Sequence, residues 1–141
     1  IFAVIAERVT SYTFLHNNLV IDFFVCYFIG LTISRVGSLL LEPLLLKSSF
    51  IKRKPYKSFL KAIEKDKKIY LISEISNMYR NLNALFISII LLKLYELMEV
   101  KYPNIEEWRI YILSTILFLL FLFSFKKQNN YINKRISAQD G

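Results

Sequence analysis

The segment Trp108–Phe125 constrains the fold most, because no charged residue lies between Arg109 and Lys126. A soluble helix of this length normally has a polar face, and the sequence WRIYILSTILFLLFLFSF has none. Its length approaches the ~20 apolar residues that cross a hydrocarbon core. Trp108, at the start of the segment, is typical of one membrane interface, and Lys126, directly after it, is typical of the other. The segment therefore predicts a transmembrane helix.

Two further apolar segments predict spans, at about 19–46 (LVIDFFVCYFIGLTISRVGSLLLEPLLL) and 82–100 (LNALFISIILLKLYELMEV). The chain is 55% hydrophobic over 141 residues, which is more apolar side chain than a soluble domain of this size can bury. We therefore expect an all-α, polytopic transmembrane bundle that forms a single membrane domain over residues 1–141. The opening IFAVIA resembles the tail of an earlier apolar segment, which predicts four spans for the complete protein and three complete spans here.

The basic residues predict the orientation of these spans. Segment 47–80 holds ten basic and three acidic residues, and the tail 126–141 holds four basic residues and one acidic. The connection VKYPNIEE between the last two spans is short and carries two glutamates. Because basic segments resist translocation, segment 47–80 and the C-terminal tail are both expected in the cytoplasm of a bacterial cell, beneath its inner membrane.

Segment 47–80 has the pattern of a helical hairpin at the membrane surface. Tyr56, Phe59, Leu60 and Ile63 form one apolar stripe of a helix that starts after Pro55. A second helix leads without a break into the span at 82–100. The surrounding basic side chains predict contact with anionic lipid, and a cytoplasmic protein or nucleic-acid partner is the alternative. These surface residues are Lys52, Arg53, Lys54, Lys57 and Lys61.

The predicted spans also contain polar residues. Those of interest are Asp22, Arg35, Glu42, Lys93 and Glu96. Arg35 and Glu42 are nearly two helical turns apart, so an ideal α-helix places them on one face. One interpretation is that Arg35 reaches the headgroups and that the helix bends at Pro43; the other is that both charges meet polar groups of another helix or subunit. Lys93 and Glu96 are spaced to pair along their own helix.

A strip of small residues on the first span predicts close helix packing, within the chain or between subunits. Its members are Gly30, Ser34, Gly37 and Ser38.

Motifs for catalysis or cofactor binding are absent from the sequence. His16 has no second ligand at metal spacing, and Cys26 lies in an apolar stretch where a packing role is expected. We find no glycine-rich phosphate loop and no nucleic-acid motif. The sequence therefore predicts a protein that is not an enzyme, uses no cofactor or metal and does not bind nucleic acid directly.

Two long stretches, RVGSLLLEPLLLK and YKSFLKAIEKDKKIYLISEISNMYR, with the span that follows them, give the chain a family resemblance. Over roughly residues 34–92 it resembles small multi-span bacterial membrane proteins of anti-phage defence loci, such as the membrane subunit of the Kiwa type. The resemblance implies a homo-oligomeric membrane component that works with a cytoplasmic partner, and it transfers no catalytic residue.

Two functions remain open from the sequence. One is an oligomeric membrane effector or sensor, including a pore, coupled to a cytoplasmic partner. The other is a structural accessory subunit that anchors a larger membrane complex.

Overall fold

The computed structural model describes residues 1–102 and 104–139, and these residues form helices and their connections without a β-strand. The all-α prediction is therefore confirmed. The helices are α1 (Phe2–Val9), α2 (Leu19–Val36), a π-helical turn (Gly37–Leu41), α3 (Glu42–Lys47), α4 (Tyr56–Lys65), α5 (Lys68–Lys101) and α6 (Asn104–Gln139).

The connection from α1 to α2 is closed by side chains that accept backbone N–H groups. Glu7 accepts hydrogen bonds from the amides of Phe14 and Leu15, at 2.6 and 2.7 Å. Asn18 then caps α2 by accepting from the amides of Val20 and Ile21. These bonds satisfy amides that have no helical partner and fix the direction in which α2 leaves the connection.

Two helices are long and apolar enough to cross a membrane, Leu19–Lys47 and Glu107–Ser137. The first combines α2, the π-helical turn and α3, and the second lies within α6. Only 6% of the most apolar stretch of each is buried within the chain. A core helix of a soluble protein would be mostly buried, so the exposed apolar surface of these two helices fits a membrane environment.

The predicted span at 82–100 does not meet the same criterion, so the structure supports two candidate spans and not three or four. The segment is helical and forms the second half of α5. It differs from the other two in its charged residues, Lys93, Glu96 and Glu99, which fall close together in its sequence.

The helices pack around a small core formed by Ile33, Leu41 and Ala84. Gly37 lies beside it: a Cβ atom built on Gly37 would come within 3.1 Å of the Ala84 Cβ atom. The absence of a side chain at Gly37 therefore lets the π-helical turn approach α5 closely. Gly30 differs, because an added Cβ atom there meets nothing within 4 Å.

Segment 47–80 contains the two helices of the predicted hairpin, α4 and the start of α5, joined by a short turn. α4 begins at Tyr56 directly after Pro55 and ends at Lys65; the carboxylate of the next residue, Asp66, accepts the amide of Lys68 at 2.9 Å. Arg53 donates to the Tyr131 hydroxyl at 3.3 Å, and the Tyr56 ring lies 6.4 Å from that of Tyr131. The two basic segments that were predicted to share one side of the membrane thus lie at the same end of the helices.

Gly30→Ala and Gly37→Ala should differ in their effect on stability. Alanine favours a helix over glycine by up to about 1 kcal/mol, and the new methyl group at residue 30 enters open space. At residue 37 the methyl group crowds Ala84, and overpacking costs about 1–3 kcal/mol. We expect Gly37→Ala to be about 1 kcal/mol or more less stable than Gly30→Ala in chemical denaturation of the detergent-solubilised protein.

The double variant Gly37→Ala/Ala84→Gly is the control, because it removes the methyl group that the new side chain meets. It should recover part of the loss in stability. Equal stabilities for the two single variants would contradict the close packing of Gly37 on α5.

Candidate functional site

Among the described residues, in which few side chains are buried, two glutamates are buried. Glu42 is 4% exposed and Glu99 is 9% exposed. A buried carboxylate is costly unless cations and hydrogen-bond donors surround it. Both glutamates have such partners, and each therefore forms the centre of a polar cluster.

The Glu42 cluster joins four parts of the chain. The Glu42 carboxylate, at the start of α3, lies 2.5 Å from Arg53 of the following connection and 3.0 Å from Arg80 of α5. Lys127 of α6 lies 3.5 Å away and also donates to the Ser38 hydroxyl at 2.8 Å. One carboxylate thus holds the end of the first apolar helix against both long helices.

Lys127 has a second role, which follows from the π-helical turn. The Glu42 amide bonds to the Gly37 carbonyl, so the Ser38 carbonyl loses the amide that an α-helix would offer. The next amide position belongs to Pro43, which has no N–H. The Nζ atom of Lys127 donates to this Ser38 carbonyl. A side chain of α6 therefore satisfies a backbone group that Pro43 leaves without a helical donor.

The Glu42 cluster carries an excess of positive charge. Three basic side chains surround one carboxylate, and they range from mostly buried (Arg80, 20% exposed) to half-exposed (Arg53, 50%). The Nε atom of Arg80 is buried without a hydrogen-bond partner in the described part of the chain. Removing Glu42 would leave these cations without their counter-charge in a poorly solvated place.

The Glu99 cluster joins α5, the start of α6 and the connection after α1. Arg109 binds the Glu99 carboxylate with two hydrogen bonds, at 2.7 and 3.1 Å, in the bidentate geometry typical of strong pairs. The Tyr12 hydroxyl donates to the same carboxylate, and its ring lies 5.3 Å beneath the Arg109 guanidinium. Burial, followed by the bond to Glu99, raises the pKa of Tyr12, so the hydroxyl stays protonated and remains a donor.

An adjacent ion pair extends the Glu99 cluster along α5. Lys93 lies 2.5 Å from Glu96, and Glu96 accepts the Ser11 amide at 2.7 Å. The intrahelical pairing expected from the spacing of Lys93 and Glu96 is therefore present, and it also fixes the connection that precedes α2.

The two clusters are separated by about the thickness of a hydrocarbon core. At about 1.5 Å per residue, Arg80 and Glu99 lie about 28 Å apart along α5. Arg109 and Lys127 lie about 27 Å apart along α6, which is nearly the same separation. A typical hydrocarbon core is about 30 Å thick. α5 and α6 thus each carry two charged groups whose separation along the helix is about the thickness of a hydrocarbon core.

Glu42 meets polar groups from other parts of the chain, and Arg35 is not one of its ion-pair partners in the described residues. The partners of Glu42 among residues 1–102 and 104–139 are Arg53, Arg80 and Lys127. The expectation that Arg35 and Glu42 share one helical face does not allow for the π-helical turn between them, which changes the angular register of the helix. Arg35 lies half-buried on α2, before that turn.

The other predicted residues have different environments. Asp22 accepts the His16 amide at 2.6 Å, so it closes the connection before α2. In the small-residue strip, Gly37 packs on α5, Ser38 contacts Lys127, Ser34 is half-buried and Gly30 is exposed. The five basic surface residues are all exposed (Lys52, Arg53, Lys54, Lys57, Lys61), and Arg53 is the member that also pairs with Glu42.

The sequence did not identify several residues of the clusters, namely Tyr12, Arg80, Glu99, Arg109 and Lys127. Pro43 was a usable signal for Lys127, since a proline within a helix leaves a carbonyl that needs a donor from elsewhere. Nothing in the residue spacing could have paired Glu42 with Arg80 or Lys127, because these contacts depend on how separate helices pack.

No group of three or more His, Cys, Asp or Glu side chains that could hold a metal ion occurs in the described residues. The chain matches no protein-family model, no curated protein and no solved structure.

A double-mutant cycle between Pro43→Ala and Lys127→Met should detect the shared Ser38 carbonyl. Lys127→Met alone removes the donor and leaves that carbonyl unsatisfied, which costs about 1–3 kcal/mol in addition to the lost contact with Glu42. In the Pro43→Ala background residue 43 has an N–H group, so the carbonyl regains a helical donor. We expect Lys127→Met to cost about 1 kcal/mol less there, measured by denaturation in detergent.

Lys126→Met in both backgrounds is the control, because Lys126 is exposed and does not contact Ser38 in the described structure. Its cost should be small and independent of residue 43. Additive effects of Pro43→Ala and Lys127→Met would show that Lys127 does not replace the missing donor.

Proposed function

We propose that the chain is a three-span membrane protein that works as an oligomeric effector or sensor in bacterial defence, coupled to a cytoplasmic partner. The observation that carries this proposal is the course of α5. This one helix contributes Arg80 to the Glu42 cluster and Glu99 to the other cluster, and it continues beyond Arg80 into the hairpin with α4. A stiff helix of this kind can transmit movement between a surface element and a membrane segment.

The third span of the proposal is the second half of α5. Its charged residues are not isolated: Lys93 pairs with Glu96, and Glu99 pairs with Arg109. The free energy of placing a charged side chain in a membrane is lower when the side chain is paired and lies close to the interface. The equal spacing of the clusters on α5 and α6 supports a position of both helices across the same bilayer.

The proposed orientation places the Glu42 cluster, the hairpin and the end of α6 in the cytoplasm, beneath the inner membrane. It is supported by the basic excess of segments 47–80 and 126–141. The exposed lysines of α4 and its preceding connection are suited to anionic lipid, whose surface attracts each basic residue by about 1 kcal/mol.

We propose that copies of the chain contact one another through α2. Gly30 has open space on its exposed side, and it lies among large exposed apolar residues such as Phe23 and Tyr27. A glycine on an apolar surface allows the backbone of a neighbouring helix to approach closely. Native mass spectrometry of the purified protein counts the copies, and a purely monomeric protein would contradict this part.

Impermeant thiol labelling tests whether α5 crosses the membrane. In a Cys26→Ala background, we introduce Lys54→Cys before α4 or Lys101→Cys at the end of α5; both lysines are exposed. In intact spheroplasts Lys101→Cys should react, whereas Lys54→Cys should react only after the membrane is permeabilised. Equal accessibility at both positions would mean that α5 does not cross, and reversed accessibility would overturn the orientation.

The proposed coupling predicts that a flexible break in α5 abolishes function while the protein still inserts. Insertion of Gly-Pro after Asn77 interrupts the helix between the hairpin and Arg80, since proline removes a helical hydrogen bond. We expect protection from phage, and any depolarisation of the membrane, to fall to the level of a strain without the protein.

The same Gly-Pro insertion after Lys54 is the matched control, because it lies in a connection and not in a helix, and it leaves the segment between Glu42 and Arg53 unchanged. It should retain activity. If the break after Asn77 is also tolerated, the chain is better described as an accessory subunit that anchors a larger complex.

A further inference from the structure

A groove runs between the π-helical turn and α6, and Lys127 of the Glu42 cluster is among the residues that line it. Its volume is about 490 Å³. The lining residues are Leu39, Leu40, Ile116, Leu119, Leu120, Phe123, Lys126, Lys127 and Asn130.

The apolar and polar residues of this groove are separated along its length. On α6 the residues from Ile116 to Phe123 are apolar, and Lys126 to Asn130 supply the polar end. Their spacing places them on one face of the helix, and Ile116 and Asn130 lie about 21 Å apart at about 1.5 Å per residue. Leu40 and Phe123 are more than half exposed, at 56% and 54%. The groove is therefore long, open and apolar, with a basic end.

The polar residues at the basic end differ in their contacts within the chain. Lys127 pairs with Ser38 and Glu42, whereas the side chains of Lys126 and Asn130 are exposed and make no hydrogen bond or ion pair within residues 1–102 and 104–139. No carboxylate of the described residues lines the groove. An occupant with an apolar chain and a negatively charged head would complement both parts at once.

We infer that this groove binds one anionic phospholipid, with an acyl chain along Ile116–Phe123 and the phosphate at Lys126 and Asn130. The inference rests on the proposed membrane function, because only a membrane-embedded chain offers the groove to lipid. Such a lipid would cover apolar surface between α6 and the π-helical turn, next to Lys127. It would thereby link the lipid composition to the packing around the Glu42 cluster.

Native mass spectrometry tests the inference. The purified full chain is titrated in detergent with phosphatidylglycerol or with phosphatidylcholine, and the bound lipids are counted. We expect one tightly held phosphatidylglycerol per chain and weaker binding of phosphatidylcholine. Lys126→Gln should weaken the phosphatidylglycerol site about fivefold, since one basic residue contributes about 1 kcal/mol at a lipid surface. Lys134→Gln is the matched control on the same helix beyond the groove, and it should have little effect.

A second pair of variants tests the apolar part without changing charge. Leu119→Trp narrows the groove and should weaken binding, whereas Leu113→Trp lies outside it and should not. Equal effects of the two lysine variants, or of the two tryptophan variants, would overturn the groove as the site.

Membrane insertion is measured separately, by carbonate extraction of each variant from vesicles. A chain that is extracted overturns the proposed function together with this inference. A chain that stays inserted but shows no preference for phosphatidylglycerol overturns the lipid site alone.

Discussion

The burial of the Glu42 carboxylate is the constraint on which the helix arrangement depends. Its charge is tolerated because Arg53, Arg80 and Lys127 surround it, and these residues come from three separate segments. Because the hydrophobic core contains few residues, apolar packing within the chain offers little to hold α5 and α6 against the first apolar helix. The direction of each helix at this end is therefore set by polar contacts more than by core packing.

The π-helical turn explains why those contacts form at this position. The turn and Pro43 leave the Ser38 carbonyl without a helical donor, and this carbonyl meets Lys127. Gly37, at the start of the turn, allows α5 to come close enough for Arg80 to reach Glu42. A local irregularity in one helix thus creates both the space and the acceptor for the long-range polar contacts.

The helices were largely predictable, because apolar runs, Pro55 and the stripe from Tyr56 to Ile63 are local signals. The clusters were less predictable, because they join residues far apart in sequence. The pairing of Lys93 with Glu96 follows from helical spacing, whereas the pairing of Glu99 with Arg109 depends on the turn between α5 and α6. The expected alignment of Arg35 with Glu42 assumes a regular α-helix, whereas a π-helical turn lies between the two residues.

The proposed coupling requires α5 to behave as one body, and its two ends are held differently. At Glu99 the contact with Arg109 is bidentate and Tyr12 adds a third donor, so this end is tied strongly. At Arg80 one guanidinium nitrogen bonds to a carboxylate that two other cations share, a second donates to Asn81 of the same helix at 3.4 Å, and the Nε atom has no partner in the described residues. A less completely satisfied contact costs less to rearrange. If α5 moves as a rigid element, the movement should pivot at the Glu99 end and change the contacts of Glu42, which is the end that carries the hairpin and the basic surface.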